Sequence, residues 1–387
     1  MEDQKINFES IRPYEDYEIQ SVFNRLKNEE SFLKLLKYLF PDTSPAQFMA
    51  KLEHITSIRQ FQKDIISAYV KSVTKKTTDG VTVDGLENLN PDEPYLFISN
   101  HRDIVLDPAL LNILLFDKGF NTTEIAIGDN LLIYPWITDL VKLNRTFIVK
   151  RNLPVKQMME SSSILSSYIR YTLNSKKHSI WIAQREGRAK DGNDRTQISL
   201  LKMLNISGKD NITENFKALK IVPVSISYEY DPCDYLKAAQ FWHKNRDENF
   251  TKSKADDLNH MSQGLSGKKG RVHFAFGKPL INELDPVSAL TVKNHKFNAV
   301  AKLIDKHIHL NYKLWPGNYI AWEILNNKSD YKNYYTKEDR EIFLTYINKR
   351  VESAGCNDKE FIYNSLLSMY AYPVTNFIEQ TIKACRS

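Results

Sequence analysis

Seven short apolar runs punctuate the middle of the chain: VTVDG from Val81, YLFIS from Tyr95, EIAIG from Glu124, TFIVK from Thr146, SIWIA from Ser179, ALKIVPVSISY from Ala218 and VHFAFG from Val272. Runs of this length, alternating with helical stretches such as Pro154 to Ser175, predict an α/β domain with a buried sheet that ends near Lys278-Pro279-Leu280. Upstream, residues 1 to about 76 read as helical. Phe32, Leu33, Leu35, Leu36, Tyr38 and Leu39 lie at mixed helical spacing before a stop at Pro41-Asp42. From Ile55 to Lys75, apolar residues recur at steps of three and four among lysines and arginines. Such a helix can lie on an anionic membrane, but covering the protein's own core is the preferred reading. Between Asp231 and Gly270 a polar, Lys-rich insertion closing with GLSGKKG reads as a flexible connection. After about 286 the pattern returns to helix, including Leu290 to Leu314. The expected division is a helical region 1–76, an α/β domain 77–285 and a helical extension 286–387.

Composition narrows the class. Hydrophobic content of 42% and charged content of 26% across 387 residues describe a folded protein rather than a disordered one. Lys and Arg total 53 against 47 Asp and Glu, a net charge of +6. That mild excess suits anionic lipid, a phosphorylated substrate or an acidic carrier, and is too small to argue for nucleic acid. Cys233, Cys356 and Cys385 have no paired spacing, so neither a disulfide framework nor a zinc site is indicated, and a reducing cytoplasm fits best. No leader pattern opens MEDQKINFES and no apolar stretch approaches the ~20 residues of a membrane span, so membrane contact is expected to be peripheral.

The chemistry concentrates in HRDIVLD, His101 to Asp107. Apolar Tyr95 to Ile98 predicts a strand, Ser99-Asn100 its polar exit, and Asp107-Pro108 the N-cap and first position of a helix through Leu115. A carboxylate bonded to one ring nitrogen of His101 fixes the tautomer and leaves the other nitrogen free to take a proton from a hydroxyl. Asp107 also has a sufficient structural role as a cap. HRD followed by an aliphatic residue evokes a kinase catalytic loop, but the required Asn falls at Pro108, and neither a Gly-rich phosphate loop nor a DFG triplet accompanies it. No GxSxG elbow supports a serine hydrolase.

Taken in order, GLENLNPDEPYLFISNHRDIVLDPALL, GDNLLIYPW with NRTFIVKR, IWIAQREGRAKDG, IVPVSISYE and RVHFAFGKPL resemble the blocks of the glycerophosphate and lysophosphatidate acyltransferase superfamily over residues 81 to 281. The third block is especially similar to soluble plastid-type glycerol-3-phosphate acyltransferases. The resemblance implies a mixed sheet flanked by helices, and a fatty acyl group moved from acyl carrier protein or coenzyme A to a hydroxyl of glycerol 3-phosphate or 1-acylglycerol 3-phosphate. It implies no metal and no permanently bound cofactor, and a protein held at the inner face of the cytoplasmic membrane. His101 becomes the general base, oriented by Asp107. The family places four residues between His and Asp, whereas five separate His101 from Asp107. Either a bulge over Arg102 to Leu106 restores the distance, or Asp103 orients the ring.

Basic residues supply the second requirement. Lys150-Arg151 follows one predicted strand and Arg188 with Lys190 another, and strands ending at one sheet edge bring their loops together to clamp a phosphate. Arg145, before its strand, is a weaker candidate. Glu186 is expected to orient Arg188 or a substrate hydroxyl in a turn permitted by Gly187. The apolar stretch Leu131, Leu132, Ile133, Tyr134, Trp136, Ile137 and Leu140 reads first as core and second as the wall of an acyl-chain tunnel. Two alternatives remain open: an amino-acid lipid as acceptor, and a noncatalytic lipid- or carrier-binding protein of the same fold.

Overall fold

The computed structural model describes residues 6–40 and 43–384, and all seven apolar runs form strands of one sheet. They are β1 (Thr78–Asp84), β2 (Leu96–Ser99), β3 (Glu124–Gly128), β4 (Thr146–Val149), β5 (Ile180–Ala183), β6 (Ile221–Tyr228) and β7 (Gly270–Phe276), in the order β1-β7-β6-β2-β5-β3-β4. Strands β6, β2, β5, β3 and β4 run parallel, while β7 is antiparallel to β6 and parallel to β1. The sheet is therefore mixed, and helices cover both of its faces.

Period-two alternation assigns each strand residue to a face. Leu96 and Ile98 of β2, with Ile180 and Ile182 of β5, join one core beneath the helices Val155–Asn174, Ile198–Asn205 and Lys293–Leu310. Phe97 and Trp181 belong to a second core with the helices Ala68–Thr77 and Leu106–Asp117. A strand buried on both faces has no polar side to show, so these runs read as continuous apolar stretches. The N-terminal helices form a third cluster, which includes Ile55, Ile58 and Phe61 and receives Trp136, Leu140 and Leu143 from the segment after β3. The amphipathic segment thus covers the protein's own core. A fourth cluster unites the helices Asp234–Arg246, Pro316–Asn326, Lys337–Ser353 and Lys359–Ala384. Among the described residues no helix is long and apolar enough to cross a membrane. The predicted stop at Pro41-Asp42 and Cys385 lie outside the described residues.

Two expectations are overturned. The insertion after Asp231 is folded, forming the helices Asp234–Arg246 and Lys254–Ser266, the second opened by a Ser253–Asp256 capping box. Its buried face escaped apolar patterning because it is largely polar: Asp234, Lys237 and Gln240 on the first helix and His260 on the second are all buried. The helix after β2 begins at Leu106, so Asp107 lies inside its first turn rather than at its cap. Asp103 does the capping: its Oδ1 accepts from the N–H of Val105 at 2.9 Å and of Leu106 at 2.7 Å.

Candidate active site

β2 lies in the middle of the sheet, and the chain leaving its C-terminal end carries His101. Asn100 fixes that exit. Its side-chain amide donates to Ile226 O at 2.9 Å and accepts from Ile226 N at 2.8 Å, extending the β2–β6 pairing with a side chain in place of a strand residue. Trp181 of β5 packs its ring edge-to-face on His101 at 5.5 Å between centroids, and donates its indole N–H to Ser99 Oγ at 2.9 Å.

Despite the five intervening residues, His101 Nδ1 and Asp107 Oδ2 are 2.7 Å apart. The same oxygen accepts from the N–H of Arg102 at 2.6 Å and of Asp103 at 3.0 Å. The segment curls around one carboxylate oxygen, and the extra residue is absorbed in that curl. Because a carboxylate only accepts, the contact selects the neutral tautomer in which Nδ1 carries the proton and Nε2 the lone pair. Nε2 has no hydrogen-bond partner among the described residues, and the side chain is 14% exposed, so the ring reaches solvent. Asp107 itself is fully buried. Asp103, occupied as the cap, does not reach the ring. Burial, and secondarily the charge of Asp107, push its carboxyl above the usual range. Tyr228 lies buried beside both acids, which with burial hold its phenol well above the ordinary range.

Arg102, only 4% exposed, is held both at its guanidinium and at its backbone. Its guanidinium donates to Asp194 Oδ2 at 2.5 Å and lies 5.4 Å from the Tyr312 ring centroid, and its carbonyl accepts from Lys237 Nζ at 3.1 Å. Burial works against that guanidinium's charge, but Asp194 holds it above its ordinary range. Lys237 in turn pairs with buried Asp231. Burial opposes the Asp231 carboxylate, yet the ammonium beside it keeps it below the usual range. The sequence reading missed Arg102, Asp194, Asp231 and Lys237. Only the HRD triplet itself could have drawn attention to one of them.

The basic candidates divide. Arg151, after β4, pairs with Glu186 at 3.0 Å across the intervening β3, and its N–H donates to Asp129 Oδ1 at 3.2 Å. Glu186 thus pairs with Arg151 rather than with Arg188, one of the two roles expected of it; Gly187 between Glu186 and Arg188 lies at φ +67°. Arg188 donates to His260 Nδ1 at 3.1 Å. His260 is pushed down to about 2 by burial and the Arg188 charge, so it accepts as a neutral ring. Lys190 is half-buried, and burial together with Lys252, Lys244, Arg188 and Arg185 lowers its affinity for a proton. Lys150 is exposed. Arg145 sits at the opposite end of β4, where its guanidinium donates to Thr122 Oγ1 at 3.2 Å, and so does not belong to this site. In the apolar stretch, Ile137 is buried, Leu131 to Ile133 are half-buried and Tyr134 is 48% exposed.

The insertion meets the loop from His101 to Asp107 directly. Gly264 of the helix Lys254–Ser266 lies so close to Asp103 that a Cβ there would stand 2.0 Å from Asp103 Oδ2. The loop after β5 meets the C-terminal helix in the same way: at Gly192, φ +80°, a Cβ would be 2.3 Å from the Met369 carbonyl oxygen. Asp194 O in that loop also accepts from His309 Nε2 at 2.7 Å.

Residues 80–227 match the family model described as Acyltransferase. Comparison with curated proteins gives no match. Among solved structures, the chain is similar to the 1-acyl-sn-glycerophosphate (LPA) acyltransferase, PlsC, from Thermotoga maritima. The two are 13% identical with a TM-score of 0.40, over 76% of this chain and 93% of that one.

Proposed function

We propose, from an acyltransferase-family domain spanning residues 80–227, that this protein moves a fatty acyl group from a thioester to the hydroxyl of a glycerophosphate-type acceptor, either glycerol 3-phosphate or 1-acylglycerol 3-phosphate. The observation that carries the reading is the 2.7 Å contact of His101 with buried Asp107 at the C-terminal end of a central parallel strand, with Nε2 left open. Nε2 takes the proton of the acceptor hydroxyl as that oxygen attacks the thioester carbonyl. The C–S bond breaks as the tetrahedral adduct collapses, and the imidazolium returns its proton to the departing thiolate. Asp107 stabilises the imidazolium in between. The rival reading of a noncatalytic binding protein rested on the altered His-to-Asp spacing, and the contact distance removes that support.

The acceptor phosphate would meet the cations of the loops after β5 and β4, Arg188 and Lys190 before Lys150 and Arg151, because Arg151 already serves Glu186. Acyl carrier protein and coenzyme A offer the same phosphopantetheine thioester, and the chain's mild basicity favours the acidic carrier. Leu131 to Ile133 would line the acyl chain's path. Val155, Met158 and Met159, exposed on the helix that follows Arg151, are the apolar surface such a protein would set against a membrane.

The test is incubation of the purified chain with both donors and a panel of labelled acceptors, an amino-acid lipid included, with products identified by mass. His101→Ala is expected to remain folded and to lose ~10²- to 10⁴-fold in rate. Undiminished transfer by that variant refutes the assignment.

A further inference from the structure

Two buried ion pairs stand directly behind the catalytic loop, and buried pairs seldom improve stability over well-packed apolar residues. Arg102–Asp194 has side-chain exposures of 5% and 4%, and Lys237–Asp231 of 1% and 7%. One of them sits on a particular peptide. The unit joining Arg102 to Asp103 accepts from Lys237 Nζ at its oxygen, at 3.1 Å, and donates through its N–H to Asp107 Oδ2, at 3.0 Å. That oxygen is the one His101 Nδ1 holds at 2.7 Å. An unbroken line therefore runs from the Asp231 carboxylate through the Lys237 ammonium, one peptide group and the Asp107 carboxylate to the imidazole.

We infer that Lys237 is a positioning residue for the proposed base, acting through the Arg102–Asp103 peptide to fix and tune the carboxylate that orients His101. The inference rests on the general-base reading of His101. A cation on a peptide oxygen withdraws charge from the amide and strengthens the N–H at its other end as a donor, as hydrogen-bonded chains polarise one another. The Asp103 N–H then draws electron density from Asp107 Oδ2 and moderates its pull on the imidazolium. Asp231, itself fixed by the Cys233 N–H at 2.9 Å, keeps the ammonium charged and in place. The same ammonium anchors the loop mechanically, since movement of the Arg102 carbonyl would carry Asp107's two backbone donors with it. Lys237 belongs to the insertion, three residues past the helix start at Asp234, and lies outside the segment that matches the family model.

The experiment compares two size-conserving variants in the full chain. Lys237→Met with Asp231→Asn removes the donor and leaves no unpaired buried acid. Lys237→Gln with Asp231→Asn keeps a neutral donor. In the first, kcat is expected to fall at least tenfold, KM to stay within twofold, and the acid limb of the kcat–pH profile to move upward, because Asp107 then holds the imidazolium more firmly. The second is expected to recover most of the rate while keeping the shifted limb. Folded variants with a wild-type rate and profile overturn the inference. Should either variant fail to fold, the wild-type protein still decides: the Asp103 amide proton, followed by NMR, is expected to move as His101 titrates, and a resonance flat through that titration overturns the relay. Failure of the general-base reading is separately visible as an active His101→Ala.

Discussion

Gly264 offers a test in which two well-known effects oppose each other. Inside an α-helix, Gly→Ala ordinarily stabilises by about 0.5–1 kcal/mol, because alanine has less backbone freedom to lose on folding. At Gly264 the added methyl would stand 2.0 Å from Asp103 Oδ2, 2.9 Å from its Cγ and 3.2 Å from Oδ1. Relief requires a movement of more than about 1 Å by the helix or the carboxylate, since C and O atoms in contact sit near 3.3 Å or beyond. The carboxylate is not free to swing, because Oδ1 holds the N–H groups of Val105 and Leu106. Losing that cap costs about 1 kcal/mol, and overpacking a filled interior costs about 1–3 kcal/mol. Gly264→Ala is therefore expected to destabilise by about 1–3 kcal/mol in urea unfolding, the reverse of the propensity effect. Activity should drop further than stability, because displacements of ~1 Å near reacting groups can cost ~10²-fold in rate. The control is the same substitution beside Asp103→Ala, where the obstacle is gone and Gly264→Ala should stabilise by about 0.5–1 kcal/mol. An equal cost in both backgrounds would refute the contact as the cause.

Three further outcomes follow from charged side chains, two of them from buried ones. Arg102→Met strands Asp194 in the interior and should cost about 3–5 kcal/mol, while adding Asp194→Leu should restore most of it in the same denaturation assay. Asp305 is raised to about 6 by burial, even though Thr196 donates to it from its N–H and hydroxyl. Its folded form binds a proton more tightly than the unfolded chain, so its stability contribution is present below the unfolded value near 4 and is lost as pH rises towards 6. Asp305→Asn, which keeps an acceptor for Thr196, should flatten the fall between pH 4 and 6 and stabilise at pH 7 by up to about 3 kcal/mol, read from denaturant midpoints across pH. For the acceptor site, Arg188→Gln should raise KM for glycerol 3-phosphate about 10- to 100-fold, whereas exposed Lys150→Gln should change it less than about threefold.

The central strands β2, β5 and β6 were legible because they are buried on both faces and so read as unbroken apolar runs, whereas the edge strand β1 showed only as the alternating VTVDG. The orientation of β7 was not legible, since nothing in GRVHFAF distinguishes antiparallel from parallel pairing. His101 and Asp107 could be found from their place between a strand end and a helix start, but Asp107 was read as the helix cap as well, and the capping by Asp103 was not foreseen. Capping rules applied one turn earlier would have helped, because Asp103 stands three residues before Leu106, the spacing at which a cap side chain meets a backbone N–H. The insertion was misread for a definite reason. Helix detection by periodicity looks for an apolar stripe, and here the inward stripe is Asp234, Lys237 and Gln240, with His260 and Gly264 on the second helix. Residues of those types signal an exposed connection unless their partners are known, and several of those partners are remote in sequence: Arg102 and Asp103 far upstream for Lys237 and Gly264, Arg350 and Tyr370 far downstream for Asp234.

Gly192 seated on the Met369 carbonyl has a bearing on how the molecule can be taken apart. The turn it belongs to carries Asp194, the counter-ion of the residue after His101, and its backing comes from a helix near the far end of the polypeptide. The family-matched stretch therefore holds His101, Asp107 and the basic candidates without being a portable cassette. Moved to another scaffold, or cut free of the last hundred residues, it would keep the histidine and the acid while losing the struts that aim them.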